Sequence, residues 1–139
     1  TALKFLIDNN LPPVWAVALT ELSKNEVPCP EVVALRSKFA ANTPDHEWID
    51  ALGRERGWCI LSQDRFGKGD LERAALRLSG LNVFRLNKAW NSHDYWTKTH
   101  CIVRWWPRIL QQADMVSASL IEVPWKYGAH GRFNLQPHR

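Results

Sequence analysis

Three aspartates stand where a parallel α/β sheet would bring them together. Asp8 ends the first apolar run of the chain, Asp64 closes the third such run, and Asp45 lies in the first turn of a predicted helix. Ligands of an open parallel sheet bind beyond the carboxyl ends of its strands, so we expect all three carboxylates at one edge. Each aspartate also has a simpler interpretation, because Asp8 and Asp64 could form turns and Asp45 could complement its helix dipole.

Clustered carboxylates require either a cation or raised pKa values. Two unit charges ~5 Å apart interact by ~3 kcal/mol at an effective dielectric constant near ~20. Ligation by oxygen atoms alone suits Mg²⁺ (or Mn²⁺), whereas zinc would favour His and Cys, which do not occupy these positions. A divalent ion can bind a phosphate oxygen and lower the pKa of a bound water. The pattern therefore predicts a metal centre on Asp8, Asp45 and Asp64, which would also be the catalytic residues.

The elements that must position these aspartates follow from the apolar pattern. The runs "ALKFLI", "EVVAL", "WCILS" and "LNVFRL" predict four strands, the first almost continuously apolar, as in a strand covered on both faces. Helices are predicted between them over residues 14–23, from Thr43 and Pro44 to near Gly57, and over residues 69–79. This β-α-β-α-β-α-β order with short connections predicts a doubly wound parallel sheet.

Apolar residues three and four apart predict which face of each helix is buried. The first helix should bury Trp15, Ala18, Leu19 and Leu22, the second Trp48, Ile49 and Leu52, and the third Leu71, Ala74, Ala75 and Leu78. Gly80 should end the third helix as its C-cap.

After the fourth strand, the sequence predicts a further helix and a further strand of the same sheet. Residues 92–112 read as a long aromatic helix, capped by Ser92 and bent at Pro107. The stretch "SASLIEVPW" predicts a fifth strand at the sheet edge, since Pro124 is tolerated only there. We expect a single domain over residues 1–139, with a core at 3–90, a C-terminal extension of helix and edge strand at 91–126, and a loosely ordered basic tail at 127–139.

Composition and charge narrow the class of protein. With 139 residues, 45% hydrophobic and 23% charged, the chain is typical of a soluble globular domain, and no membrane span or signal peptide is expected. Three widely spaced cysteines favour a reducing cytoplasm over a disulfide scaffold. Residues 1–70 hold 8 Lys and Arg against 10 Asp and Glu, and residues 71–139 hold 10 against 4. An acidic metal site beside a surface that attracts a polyanion fits this asymmetry, as does a solvated face of mixed charge.

Other proteins with acidic sheet edges fit the sequence less well. Receiver domains carry an adjacent pair of acids after the first strand, whereas Asp8 is followed by Asn9 and Asn10. Phosphatases of the haloacid-dehalogenase type require D-x-D at this point, and the second acid is replaced by Asn10. A dinucleotide-binding sheet requires G-x-G-x-x-G after the first strand, but no glycine precedes Gly53.

The motifs "FLIDNNLPP", "TPDHEW" and "ILSQDR", in this order and spacing, resemble the PIN-like nuclease domains. Within that family they are most similar to the small group of VapC-type toxins of bacterial toxin–antitoxin pairs. The resemblance covers roughly residues 3 to 90 and implies a PIN-like three-layer α/β/α fold with a central, mostly parallel sheet. It also implies Mg²⁺ or Mn²⁺ dependence and hydrolysis of RNA phosphodiester bonds, with Asp8, Asp45 and Asp64 at the matching acidic positions.

The resemblance is incomplete at the fourth acid that PIN nucleases commonly bring to the site. Relatives often read D-E-N where this chain has an amide at Asn9. Asp70 is the first candidate for this fourth metal ligand, ahead of Glu47, although an acid in the first turn of a helix can also simply complement the dipole. Substrate contacts are predicted from a turn amide, a strand-end hydroxyl and two cations of the loop "DRFGKGD": Asn10, Ser62, Arg65 and Lys68.

The tryptophan-rich second half suggests a partner surface. Five of the eight tryptophans follow residue 89, and the helical aromatics Tyr95, Trp96, Trp105 and Trp106 could belong to the core or to a protein interface. The partner would be a cognate antitoxin or a second copy of the chain. Zinc ligation by His93, His100 and Cys101 is not expected, because the histidines lie two helical turns apart.

Two functions are consistent with these patterns. The first is a metal-dependent endoribonuclease, the toxin of a type II toxin–antitoxin pair. The alternative is a catalytically weak or inactive PIN-like module that binds a protein or RNA partner.

Overall fold

A computed structural model describes residues 3–63, 70–128 and 131–136. This part of the chain contains six strands, five α-helices and one 3₁₀ helix. In chain order they are β1 (Lys4–Ile7), α1 (Val14–Leu22), β2 (Glu31–Ala34), α2 (Leu35–Lys38), α3 (Asp45–Glu55), β3 (Trp58–Ser62), α4 (Asp70–Ser79), β4 (Asn82–Leu86), the 3₁₀ helix (Lys88–Ser92), α5 (Tyr95–Met115), β5 (Leu120–Val123) and β6 (Asn134–Gln136).

The sheet has the strand order β2-β1-β3-β4-β5-β6. The first five strands are parallel, and β6 pairs antiparallel with β5. The chain passes from β1 to β2 on one side and then returns to β3 on the other, so the strand order reverses at β1. The mostly parallel sheet predicted from the four apolar runs is confirmed.

Helices cover both faces of the sheet and create two apolar layers. On one face, Trp15 and Leu19 of α1 and Ile102 and Trp105 of α5 pack on side chains such as Phe5. On the other face, the buried residues of α3 and α4 pack on alternate residues of the same strands, among them Leu6, Ile60 and Val83. Successive residues of a strand point to opposite faces, so each strand serves both layers. The three-layer α/β/α architecture is confirmed.

The buried faces of α1 and α4 differ from the prediction. α1 buries Trp15, Ala16 and Leu19, whereas Leu22 is 63% exposed. Its stripe continues at Ser23, whose Oγ accepts a hydrogen bond from the indole Nε1 of Trp106 at 2.7 Å. In α4, Leu76 is buried and Leu78 is exposed, while α3 buries Trp48, Ile49 and Leu52 as predicted. The prediction for Leu22 and Leu78 was therefore wrong.

Three boundaries also differ from the prediction. Leu35 is the first residue of the short helix α2, not the end of a strand. The N-cap of α5 is Asp94, which accepts a hydrogen bond from Thr97 N at 2.8 Å, whereas the Ser92 hydroxyl donates to Ala89 O within the 3₁₀ helix. Hydrogen bonds from the side chain and then the backbone N–H of Thr97 lower the pKa of Asp94. α5 continues through Pro107 to Met115.

The fifth strand is present but does not form the edge of the sheet. β5 is parallel to β4, and β6 pairs along its other side. β6 comes from the stretch for which we predicted a loose basic tail. Within the described ranges, no helix has both the length and the apolar composition needed to cross a membrane.

The buried face of α1 can be tested by replacing a buried and an exposed leucine of this helix with alanine, one at a time. Leu19→Ala removes a side chain that is 1% exposed, and Leu22→Ala removes one that is 63% exposed. We expect Leu19→Ala to lower the free energy of unfolding by about 3 kcal/mol. Leu22→Ala should change it by less than about 0.5 kcal/mol. Urea denaturation of both variants measures the difference, and equal losses would contradict the assigned face.

Candidate functional site

Four polar residues form a row across the carboxyl end of the sheet. Asp8 follows Ile7, which is in register with Leu61, so Asp8 lies level with Ser62. Ser62 is in register with Arg85, and Arg85 with Glu122. The row therefore crosses β1, β3, β4 and β5 at a single level, on the sheet face that α3 and α4 cover. It lies at the reversal of strand order, where open parallel sheets bind their ligands.

The carboxylate of Asp8 is buried and held by hydrogen bonds. Asp8 is 7% exposed, and its Oδ2 accepts a hydrogen bond from the Ser62 hydroxyl at 2.7 Å. Its Oδ1 accepts a second from the backbone N–H of Asn9 at 2.7 Å. The chain turns immediately afterwards, with Leu11 N donating to Asp8 O at 3.0 Å. A buried carboxylate requires such partners, because its desolvation is otherwise unfavourable.

Asn10 connects the turn after β1 to the end of β3. Its Nδ2 donates to Ser62 Oγ at 3.4 Å, and its Oδ1 accepts from Gln63 N at 3.2 Å. The structure thus brings Asp8, Asn10 and Ser62 together, as their predicted roles would require. Those roles in metal and substrate binding remain predictions.

Arg36 is a neighbour of this turn that the sequence interpretation missed. Its Nε donates to Asn9 Oδ1 at 3.2 Å. Arg36 belongs to α2, which begins immediately after β2, so its position depends on a short helix that we had assigned to strand and loop. A basic residue directly after an apolar strand was the available signal.

Asp45 has a local partner of its own. It is the first residue of α3 and is exposed, and its Oδ1 accepts a hydrogen bond from Trp48 Nε1 at 3.0 Å. Glu47, the less favoured fourth acid, is also exposed in the first turn of α3. Asp70 is the first residue of α4.

The three-acid metal centre is not tested by the described residues. Asp64 lies outside them, as do the predicted substrate contacts Arg65 and Lys68. Among the residues that are described, no three His, Cys, Asp or Glu side chains come close enough to hold a metal ion. The donor atoms around Asp8 are carboxylate, hydroxyl and amide oxygens, a set that fits Mg²⁺ or Mn²⁺ better than zinc. The fit to a metal thus depends on Asp64 joining Asp8.

The two buried cysteines, Cys59 and Cys101, are poor candidates for nucleophilic chemistry. Burial raises the pKa of Cys59 to about 12, which exceeds the opposing effect of its hydrogen bond with Asn82. Burial likewise raises the pKa of Cys101 to about 11, against a smaller lowering by Arg104. Both thiols therefore stay protonated near neutral pH and are poor nucleophiles. His93 stacks on Trp125, with the ring centroids 3.7 Å apart.

The four aromatic residues of α5 divide into two pairs. Trp105 and Trp106 belong to the core. Tyr95 and Trp96 are exposed, Trp96 by 76%, and their rings meet edge to face with centroids 5.2 Å apart. Only the second pair is available to a partner.

Comparison with known proteins identifies the family. Residues 3–88 match the model of the PIN-like domain, which is more than half of the chain. The chain belongs to the PIN-like domain family. Neither the curated proteins nor the solved structures contain a match to it. The match ends within the 3₁₀ helix, so α5, β5 and β6 lie beyond the PIN-like segment.

The hydrogen bond between Ser62 and Asp8 can be tested through stability. Ser62→Ala removes a donor to a buried carboxylate and should lower the free energy of unfolding by about 1–2 kcal/mol. Ser37→Ala, at an exposed position of α2, is the matched control and should leave it unchanged. Urea denaturation of both variants decides the question, and a loss no larger than that of the control would count against the bond.

The raised thiol pKa values predict an order of chemical modification. A disulfide reagent at pH 8 should modify the exposed Cys29 of the native chain rapidly. Cys59 and Cys101 should react slowly, because their thiolates form only at higher pH and their sulfur atoms are buried. Addition of a denaturant should make all three react quickly. Rapid modification of Cys59 in the folded chain, located by mass spectrometry, would disprove the assignment.

Proposed function

We propose that this PIN-like domain is a metal-dependent endoribonuclease that hydrolyses RNA phosphodiester bonds. Members of the family are commonly nucleases. The observation that carries the proposal is the buried carboxylate of Asp8 at the reversal of strand order, with both oxygens hydrogen-bonded. A fixed, desolvated carboxylate with oxygen-bearing neighbours is the kind of ligand that a hard divalent cation requires.

Each predicted residue has a defined task in this reaction. Asp8, Asp45 and Asp64 would hold Mg²⁺ or Mn²⁺, with Asp70 as the candidate for a fourth acidic ligand. The bound ion would supply Lewis-acid stabilisation of the phosphate and a lower pKa for water. The Ser62 hydroxyl donates to Asp8, the Asn10 amide donates to Ser62, and both groups would orient water or phosphate.

The proposed reaction is an in-line displacement at phosphorus. The oxygen of a water molecule attacks the phosphorus atom, and the bond from phosphorus to the 3′ oxygen breaks. One proton of the water ends on the departing 3′ oxygen, which leaves a 5′-phosphate and a 3′-hydroxyl. Arg65 and Lys68 would bind the phosphates, and Arg36 adds a guanidinium that contacts the turn after Asp8.

Basic residues along the carboxyl edge support RNA as the substrate. Lys88 begins the 3₁₀ helix after β4, and Lys126 follows β5. Lys126 and Arg104 line one groove beside the exposed start of α5. These cations would neutralise phosphates of an RNA strand that leaves the acidic centre toward β4 and β5.

The finer proposal is that the chain is a VapC-type toxin that acts in the cytoplasm. It rests on the resemblance of its motifs to that group. A cognate antitoxin would then be the partner protein, and the exposed pair Tyr95 and Trp96 is the surface we assign to it or to a second copy of the chain. Exposed aromatic side chains are the residues that most often anchor such interfaces.

Two observations favour the alternative of a non-catalytic binding module. Asn9 is an amide where members of the VapC-type group often carry an acid. Asp45 is engaged by Trp48 Nε1, which is a sufficient structural reason for an aspartate at the start of α3. Such a module would bind RNA or a protein without cleaving it.

The proposal is tested by cleavage of a fluorescent RNA of mixed sequence with Mn²⁺ or Mg²⁺. Asp8→Asn and Asp64→Asn should each slow cleavage by about 100-fold, because each removes a charge that would hold the metal ion. Asp114→Asn, at an exposed position near the end of α5, is the matched control and should cleave at the parent rate. Chelation of the metal should abolish cleavage, and added Mn²⁺ should restore it.

Two results would contradict the proposal. If the Asp8→Asn variant is folded and cleaves RNA as fast as the parent, Asp8 is not a catalytic residue. A parent chain that binds RNA but neither cleaves it nor binds Mn²⁺ in a titration would favour the binding module.

A further inference from the structure

A second polar cleft opens at the same edge of the sheet, beyond the ends of β3, β4 and β5. Its volume is about 290 Å³, near the lower limit of ordinary ligand pockets. Its polar lining consists of Gln63, Arg85, Asn87, Lys88, Asn91 and Glu122. The strands that border this cleft also carry Ser62, Arg85 and Glu122 of the polar row described above.

Three side-chain amides converge on this cleft from different elements. Gln63 follows β3, and its Nε2 donates to Oδ1 of Asn91 in the 3₁₀ helix. Asn87 follows β4, and its backbone N–H donates to Val123 O at 3.0 Å. The side-chain Oδ1 of Asn87 is buried and has no hydrogen-bond partner within the described part of the chain. A buried acceptor of this kind is unfavourable unless a donor reaches it.

The 3₁₀ helix, which carries Lys88 and Asn91, is anchored to the core. Trp90, in the middle of the 3₁₀ helix, is 0% exposed, and its Nε1 donates to Val123 O at 3.0 Å. Its ring meets that of Trp125 edge to face, with centroids 4.9 Å apart. Lys88 and Asn91 therefore extend from a fixed segment, which favours recognition over a chance surface hollow.

The sheet side of the cleft is an ion pair. Arg85 Nη2 lies 3.3 Å from Glu122 Oε2, and both side chains are largely buried. The pair neutralises its own charge and offers both donors and acceptors at the level of Ser62. Lys88 is exposed and adds a single positive charge at the mouth.

The cleft lies beside the candidate metal site. Gln63, which lines it, donates its backbone N–H to Asn10 Oδ1, and Asn10 bonds Ser62, the partner of Asp8. Arg85 is two strands from Asp8, roughly 10 Å along the sheet. That separation is within the span of one nucleotide.

We propose that this cleft is a nucleotide subsite, which takes the base of the nucleotide next to the cleaved phosphodiester. The amides of Gln63, Asn87 and Asn91 read the base edge, and Asn87 Oδ1 accepts a hydrogen bond from an amino or imino group of the base. Lys88 binds the phosphate of the same nucleotide. The subsite rests on the proposed ribonuclease function for its biological meaning, but base binding at this cleft can be measured without cleavage.

The test is a titration of the full chain with each of the four ribonucleoside 5′-monophosphates. Binding is monitored by NMR, and a chelator is present throughout. We expect one base to bind more tightly than the others. Asn87→Ala should lower the affinity for that nucleotide by about 3- to 10-fold and reduce the difference in affinity between the four bases. Lys88→Ala should weaken all four by a similar factor, because it contacts only phosphate. The affinity for ribose 5-phosphate should fall in Lys88→Ala and stay unchanged in Asn87→Ala.

Matched controls separate this site from general surface effects. Lys24→Ala and Asn42→Ala change exposed residues of the same types away from the cleft and should leave the affinities unchanged. Circular dichroism establishes that each variant is folded. If Asn87→Ala does not fold, Asn91→Ala at an exposed position replaces it, with the same expected loss of base preference.

The outcomes distinguish the subsite from the ribonuclease proposal. Equal affinity for all four nucleotides, or no change on Asn87→Ala and Lys88→Ala, overturns the subsite even if the parent cleaves RNA. Base-selective binding that is lost in these variants supports the subsite even if the parent cleaves nothing. Cleavage that depends on Asp8, together with a changed base preference at the cut in Asn87→Ala, supports both.

Discussion

The carboxylate of Asp8 is removed from water at the point where the strand order reverses, and its surroundings are organised by that burial. The Ser62 hydroxyl and the backbone N–H of Asn9 must both face Asp8, since an unpaired buried charge would destabilise the fold. Ser62 can reach Asp8 only because β1 and β3 are neighbours in register. The same register continues to Arg85 and Glu122, so one row of polar side chains follows from the alignment of four strands.

The second half of the chain supports this edge through its tryptophans. Trp90 fixes the 3₁₀ helix on β5, and Trp106 joins α5 to the end of α1 through Ser23. Trp105 is wholly buried among aromatic rings contributed by Tyr127 and Phe133. The elements beyond the PIN-like segment therefore complete the apolar layer under the sheet and carry part of the polar edge.

Sequence reasoning succeeded where the local pattern and the topology agreed. Four apolar runs became strands because each is covered on both faces, and the order of elements was enough to predict that the first and third strands end at the same edge of the sheet. It failed where a distant residue decided the outcome. Ser23 replaces Leu22 in the stripe of α1 because Trp106 reaches it from 83 positions away. No local pattern contains that contact, and Arg36 escaped notice because α2 is a single turn that periodicity cannot detect. That the carboxylates of Asp64 and Asp8 lie close together stays a prediction.

The antiparallel pairing of β6 with β5 has a consequence for self-association. An open sheet has two edge strands that can recruit further strands, and here one of them is β6, which has only three residues. The other edge among the described strands is β2, which has only four residues and is preceded by Pro30. The Thr20 hydroxyl, which donates to Ala16 O at 2.7 Å, also lies 3.2 Å from Val32 O of this strand. Edge strands this short are poor templates for edge-to-edge aggregation, so the fold limits sheet growth in both directions.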